Sequence, residues 1–351
     1  MSTALVTGGA GFFGTVLVGR LLARGHAVRI LDLHRPDPLP NGVTMIQGDV
    51  RDVAAVREAC EGVDVIHHNV ALVPLAKDKL GFRTVNEGGT KNVLEAALHL
   101  GVKKVVHMSS SAIYGAPKDN PVNEDTPARA GEEYGEAKRQ AEEICRVYRA
   151  GGVDVTIIRP RTIMGHGRLG IMQILFEWIR QGQPVPVLGG GNNRYQFVHG
   201  DDLADACLAA AERPGSTDYN IGAATFGTMR ETLQGLIAHA GTGSRVVSVP
   251  MAPAEWLTRA VGALGLSPLG PYHALMYGRP LWFDISKAQR ELDYRPRFSN
   301  IEMLCESYDW YLANRDEILR RRDSSPHSMA VKQGALSVVP HVLSLLPGVR
   351  P

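Results

Sequence analysis

Cysteine is scarce: the 351 residues hold four, Cys60, Cys145, Cys207 and Cys305. None falls in a short C-x-x-C spacing, so nothing suggests zinc or thiol redox chemistry, and a reducing cytoplasm is the expected setting. Charge of one sign is missing too, since a net charge of +2 forces no face to be strongly basic and gives no argument for a nucleic-acid partner. No stretch reaches the roughly 18 apolar residues of a membrane span, and "MSTALVTGGAGFFG" lacks the basic flank and apolar run of a signal peptide. What is present is 44% hydrophobic and 21% charged residue content, the mark of a globular chain able to bury a large core. A cytosolic enzyme or binding protein is expected.

Short apolar runs alternate with segments of helical character: "TALVTGG", Phe12 to Arg24, "AVRILDL", "VTMIQGD", Asp52 to Cys60, "VDVIHH", Phe82 to Leu100, "KKVVHMSS", and on to "GVDVTIIRP". Continuous apolar strands separated by helices describe a parallel sheet covered on both faces, hence a doubly wound α/β domain. Its expected extent is residues 1–165, with later segments returning to it. Beyond Pro160 glycine and proline gather, and strand candidates such as "RVVSVP" and "LWFDI" stand far apart; residues 166–315 read as a smaller, discontinuous substrate lobe. Ligands should bind in the cleft between them. Residues 316–351 read as a mobile tail, or as a basic and apolar segment that touches a membrane surface or a partner subunit.

In "VTGGAGFFG", Gly8, Gly11 and Gly14, with Phe12 and Phe13 between them, close the first strand and open the first helix. Glycine there allows a tight turn, close approach of a pyrophosphate, and close packing of helix on sheet, the Rossmann-type arrangement with phosphate at the helix N-terminus. The second strand ends in Asp32, 18 residues past Gly14, near where a carboxylate accepts hydrogen bonds from the adenosine ribose. The same charge repels a 2′-phosphate, so NAD is favoured over NADP, although Arg35 softens that preference. Asp49 and Val50 are offered to the adenine edge, and Asn69, Val70 and Ala71 to a small-residue wall near the cofactor. Adjacent His67 and His68 point to opposite faces of a strand, poor geometry for a shared metal, and no metal site is expected.

"EEYGEAKRQAEE" places Tyr134 and Lys138 one turn apart on one helical face. Making a phenolate accessible near neutral pH takes a shift of about 3 units from its usual value of about 10. An ammonium at ~4 Å supplies an attraction of about 4 kcal/mol in a partly screened cleft, so the pair suffices for general base catalysis.

Together "TGGAGFFG", "GDVRD", "VNEGGTKNVLEAA", "SSSAIYG", "YGEAK" and "IIRPRTIMGHG" resemble the extended short-chain dehydrogenase/reductases, the nucleotide-sugar epimerases and dehydratases and the hydroxysteroid-type dehydrogenases. The resemblance runs from Ala4 to about Arg315. It implies that Tyr134 is the acid/base on a substrate hydroxyl, that Lys138 lowers its pKa, and that Ser110 bonds the same substrate oxygen. Ser111 is the alternative if the register differs by one. It further implies that Asn86 holds the helix supporting the site, that Pro160 and Thr162 pack against the nicotinamide, and that two long helices pair to form a homodimer.

Within that family, dehydratases and UDP-glucuronate decarboxylases carry carboxylates where this chain has Ser111 and Ala112, which disfavours both reactions. An epimerase and a hydroxysteroid-type NAD-dependent dehydrogenase remain, with a non-catalytic NAD-binding protein as a third possibility. The segment "RYQFVHGDDLADA" puts Tyr195 where the sugar-nucleotide enzymes hold a diphosphate-binding arginine, and Arg194 one residue early, on the opposite face. Arg194 and Arg168 are the expected phosphate partners. The substrate is expected to be a small molecule, a nucleotide sugar before a hydroxysteroid-type alcohol.

Overall fold

The computed structural model describes residues 2–36, 38–73, 79–252 and 277–320, with Val339 and Leu343. The tail beyond residue 320 otherwise lies outside the described residues. Each apolar run of the first half forms a strand: β1 (Thr3–Thr7), β2 (Ala27–Asp32), β3 (Val43–Gln47), β4 (Val65–His68), β5 (Lys104–Met108) and β6 (Val155–Pro160). Next come β7 (Thr162–Met164), β8 (Val185–Leu188), β9 (Phe197–His199), β10 (Thr217–Ile221) and β11 (Val246–Val249). The main sheet is wholly parallel and has seven strands in the order β10-β6-β5-β4-β1-β2-β3. The doubly wound α/β class is thus observed.

Alternate residues of each strand serve opposite faces. Leu5, Val105 and Ile157 join α2 (Val53–Cys60), α3 (Thr90–Leu100) and α4 (Glu133–Ala150) in one core, reached from α1 (Phe12–Ala23) around the glycine turn. Val6, Val106 and Ile158 join α1 in the other core, with α6 (Gly200–Glu212), which follows α5 (Ile171–Arg180) in the chain. A third core gathers α5, α7 (Met229–Ala240) and α9 (Asn300–Arg320), whereas α8 (Ser286–Leu292) packs on the second. The segment before α3, Phe82–Gly89, is wound as π-helix, so the expected single helix from Phe82 to Leu100 has two windings.

Two further differences from expectation concern the second half. Strand β10 was not among the expected strands, because "TDYNI" is short and polar; it pairs with β6 and completes the sheet. "LWFDI" forms no regular strand, but only isolated bridges from Leu281 to Tyr195 and Phe283 to Val122. Among the described residues, no helix is long and apolar enough to cross a membrane.

Strand order reverses between β1 and β4, and in open α/β sheets the crevice beyond the carboxyl ends of such strands is where ligands bind. Helix α4 is fixed beside it by Glu142, which has no exposure, and accepts from Ser109 Oγ at 2.6 Å and from Arg159 Nε at 2.9 Å and Nη2 at 2.8 Å. Arg159 also meets Asp218 at 2.7 Å. Breaking such a buried pair strands a charge. Glu142→Gln is expected to lower unfolding free energy by about 3 kcal/mol, while half-exposed Arg146→Ala costs less than about 1 kcal/mol; urea denaturation of both variants checks the contrast.

Candidate active site

A cavity of about 510 Å³ opens at the switch point. One wall is the turn between β1 and α1. Gly8 sits there at φ +70°, and a Cβ on Gly14 would lie 2.0 Å from the Gly8 carbonyl oxygen, so the turn closes only with glycine. The Asp32 carboxylate ends β2 beside this turn and accepts from the Ala10 N–H at 3.0 Å and the His34 N–H at 3.1 Å. A glycine turn, a helix N-terminus and a carboxylate at the end of the second strand are what a dinucleotide requires, so these residues fit NAD. Arg35 is exposed and does not line the cavity.

The opposite wall is built by the start of α4. Glu132 caps the helix, accepting from the Tyr134 N–H at 2.8 Å and the Gly135 N–H at 2.6 Å. A Cβ on Gly135 would come within 2.5 Å of the Ala112 carbonyl oxygen, so the helix presses directly onto the turn Ser111–Tyr114. That approach sets the Tyr134 phenol against the Ser110 hydroxyl. Ser110 Oγ accepts from the Ala112 N–H at 3.2 Å, which leaves its own proton to donate. One helical turn on, Lys138 is 2% exposed and donates to the Met108 carbonyl at 2.8 Å.

Burial reorders the two proton affinities. Desolvation pushes the Tyr134 phenol up to about 12, opposed by the Ser110 hydrogen bond and by Arg168, and reinforced by Glu132. Desolvation pulls the Lys138 ammonium down to about 8, opposed by Cys145 and Glu142. The direction at Tyr134 is opposite to the expected acidic phenol: with no ligand the low-dielectric wall disfavours phenolate more than its neighbours favour it.

The expected site residues converge here with two exceptions. Gly8, Gly11, Phe12, Phe13, Gly14, Asp32, Asp49, Val50, Asn69, Val70, Ala71, Ser110, Ser111, Tyr134, Lys138, Pro160, Thr162 and Arg168 all line the cavity. Asp49 is held by a fork from Arg51, with Nη2 at 2.6 Å, which keeps its carboxyl below the usual range. Asn86 is not a lining residue: its amide accepts from Leu72 N–H at 2.7 Å and donates to Leu72 O at 3.1 Å, tying down the loop after Ala71. Arg194 is not one either. Exposed, its guanidinium lies 4.8 Å from the ring centres of both Phe226 and Trp282, while Tyr195 turns inward and meets Thr162 Oγ1 at 3.0 Å. The period of two along an extended chain separates the neighbours.

Sequence reading missed Arg161 and Tyr277. Arg161 stood inside the quoted "RPRTI", and a cation beside a fully buried strand was the available signal; Tyr277, far along the chain, carried none. His67 and His68 are buried at the end of β4. His68 lies between Thr7 Oγ1 at 2.8 Å and Thr90 Oγ1 at 3.1 Å, and burial pulls His67 down to about 4 and His68 to about 3, so both are neutral.

The Lys138 value carries a definite sign. Its folded value, about 8, lies below the ordinary 10.5, so between these the unfolded chain binds the extra proton and stability rises with pH. Relative to Lys138→Met, the ligand-free protein should gain on the order of 3 kcal/mol across that window. Parallel urea-denaturation profiles for the two proteins from pH 7 to pH 10 would contradict it. Gly135→Ala, which drives a methyl into a backbone carbonyl, should lower the melting temperature by several degrees, as calorimetry will show.

Residues 4–222 match the model of the NAD dependent epimerase/dehydratase family. An uncharacterized protein, y4nG of Sinorhizobium fredii, is 52% identical over 99% of this chain and 88% of its own. The 3 beta-hydroxysteroid dehydrogenase/Delta 5-->4-isomerase of Mycobacterium tuberculosis is 29% identical over 89% of this chain and 91% of its own. The solved UDP-glucose 4-epimerase of Thermus thermophilus, a complex with NAD, superposes with a TM-score of 0.72 at 26% identity, covering 88% of this chain and 99% of that one. With a glycine cradle, an acidic strand end and a buried tyrosine and lysine around one cavity, and a family model spanning more than half its length, the chain belongs to the NAD dependent epimerase/dehydratase family and is an NAD-dependent enzyme of the extended short-chain dehydrogenase/reductase type.

Proposed function

We propose that the protein is a nucleotide-sugar epimerase that oxidises and re-reduces one secondary alcohol. The carrying observation is the convergence of Ser110, Tyr134 and Lys138 on a single wall of the cavity that the glycine turn also lines. In this reading Tyr134 exchanges the hydroxyl proton, Ser110 donates to the same substrate oxygen, and Lys138 holds positive charge behind the phenol. NAD, when bound, supplies the hydride acceptor and a positive ring. Asp32 takes the adenosine ribose, and Pro160 and Thr162 form the floor under the nicotinamide.

The ligand-free electrostatics assign the protonation order. With Tyr134 at about 12 even though Lys138, at about 8, is charged at neutral pH, the phenol keeps its proton until further positive charge arrives beside it. The residues therefore couple base formation to cofactor loading, which protects the phenolate from idle exposure.

Arg168 supports the substrate class. It lines the cavity with its guanidinium 5.7 Å from the Phe12 ring centre, and a diphosphate is the group such a cation binds well. A hydroxysteroid offers it nothing. The full-length relative with hydroxysteroid dehydrogenase activity in its name favours a second reading, in which reduced cofactor is released.

Tyr134→Phe is expected to lower turnover by about 10²–10⁴-fold with NAD affinity retained; retained turnover would refute the assignment. Incubation of the wild-type protein with UDP-glucose and with a 3β-hydroxysteroid, under observation of reduced-NAD absorbance, separates the readings. Sugar isomerisation without net absorbance change supports the epimerase, and stoichiometric reduction with steroid overturns it.

A further inference from the structure

Two arginines lie close together in the chain at the end of β6, both buried but partnered very differently. Arg159 is buried and has two carboxylates, Glu142 and Asp218, within 2.8 Å. Arg161 is 1% exposed, lines the cavity, and among the described residues has no carboxylate partner. Its Nη1 donates to Ser111 Oγ at 2.8 Å and its Nε to the Gln196 carbonyl at 3.2 Å. Aromatic faces wall it in, with its guanidinium carbon 4.7 Å from the Tyr195 ring centre and 5.6 Å from that of Phe283. Among the described residues its buried Nη2 has no hydrogen-bond partner.

A guanidinium taken from water, left without an anion and with an idle N–H pair, is an incomplete site. Aromatic rings offset part of the desolvation, but they cannot accept the Nη2 protons in the plane of the fork. Arg161 lines the cavity, so an anion bound there is a partner that would complete it.

We infer that Arg161, with the Ser111 hydroxyl, is a subsite for a carboxylate that the substrate carries close to the carbon being oxidised. Position gives the proximity: Ser111 follows Ser110, whose hydroxyl is set against the Tyr134 phenol. Chemistry gives the carboxylate: one planar fork walled by rings matches a planar two-oxygen anion, and Ser111, accepting from Arg161, keeps its own O–H to donate to the second oxygen. Diphosphate recognition is assigned above to Arg168, on a different part of the lining.

The subsite rests on the reading of Tyr134 and Ser110 as the reacting groups, and it is testable apart from the nucleotide. NAD-loaded wild-type protein is titrated calorimetrically with two matched pairs, UDP-glucuronate against UDP-glucose and 3-hydroxybutyrate against butan-2-ol. At least one pair is expected to favour the acid by about tenfold, and Arg161→Gln should bring that ratio close to one. Preference confined to the hydroxybutyrate pair supports the subsite while refuting the nucleotide-sugar reading. No preference for the acid in either wild-type pair overturns the inference, as does a preference that survives in Arg161→Gln. Should that variant not fold, Ser111→Ala replaces it and must lower the same ratio.

Discussion

The site depends on one close approach. The first turn of helix α4 holds a glycine, Gly135, whose missing side chain lets the helix touch the Ala112 carbonyl, and Glu132 caps that same turn. The placing of the proposed catalytic groups follows from this contact, because it fixes Tyr134 against Ser110 and, one turn later, buries Lys138 under the carbonyl at the end of β5. Glu142, a further turn along, locks the helix to the sheet through Arg159. The charged appearance of the helix therefore hides its working face: its exposed acids and bases pair along the outside, while the inward stripe holds a phenol, an ammonium and a carboxylate.

Burial has a price that shapes the chemistry. In water the lysine would hold its proton about as strongly as the tyrosine; in this wall the order is separated by about four units in favour of the phenol. A phenol so buried holds its proton more firmly than one in water, and added positive charge beside it would favour the release. In the proposed reading the cofactor is held through neutral glycine backbone and the Asp32 carboxylate, and the buried Tyr134 and Lys138 respond to the charge it brings.

Much of this arrangement was legible in the chain because it is local. Apolar runs gave the first six strands, the glycine spacing gave the cradle, and a spacing of four gave the Tyr134 and Lys138 face. What escaped depended on long-range contacts. Strand β10 is polar and short, and it becomes a strand only by pairing with β6. Asn86 was expected from its motif to hold the helix supporting the site, but its amide is consumed by the Leu72 backbone. Arg194 was retained as a phosphate partner although its parity pointed outward, and Phe226 and Trp282, remote in sequence, claim it. Arg161 stood inside a quoted motif without a role, because its burial against the cavity comes only from the tertiary structure.

The titration of Tyr134, followed by ¹³C NMR of ring-labelled tyrosine with Tyr134→Phe as the assignment control, tests the central claim most directly. The account predicts a phenol that holds its proton to about pH 12 without ligand and releases it at least about two units lower once NAD is loaded. A phenol that titrates near 10, as in free solution, and does not respond to NAD would contradict it.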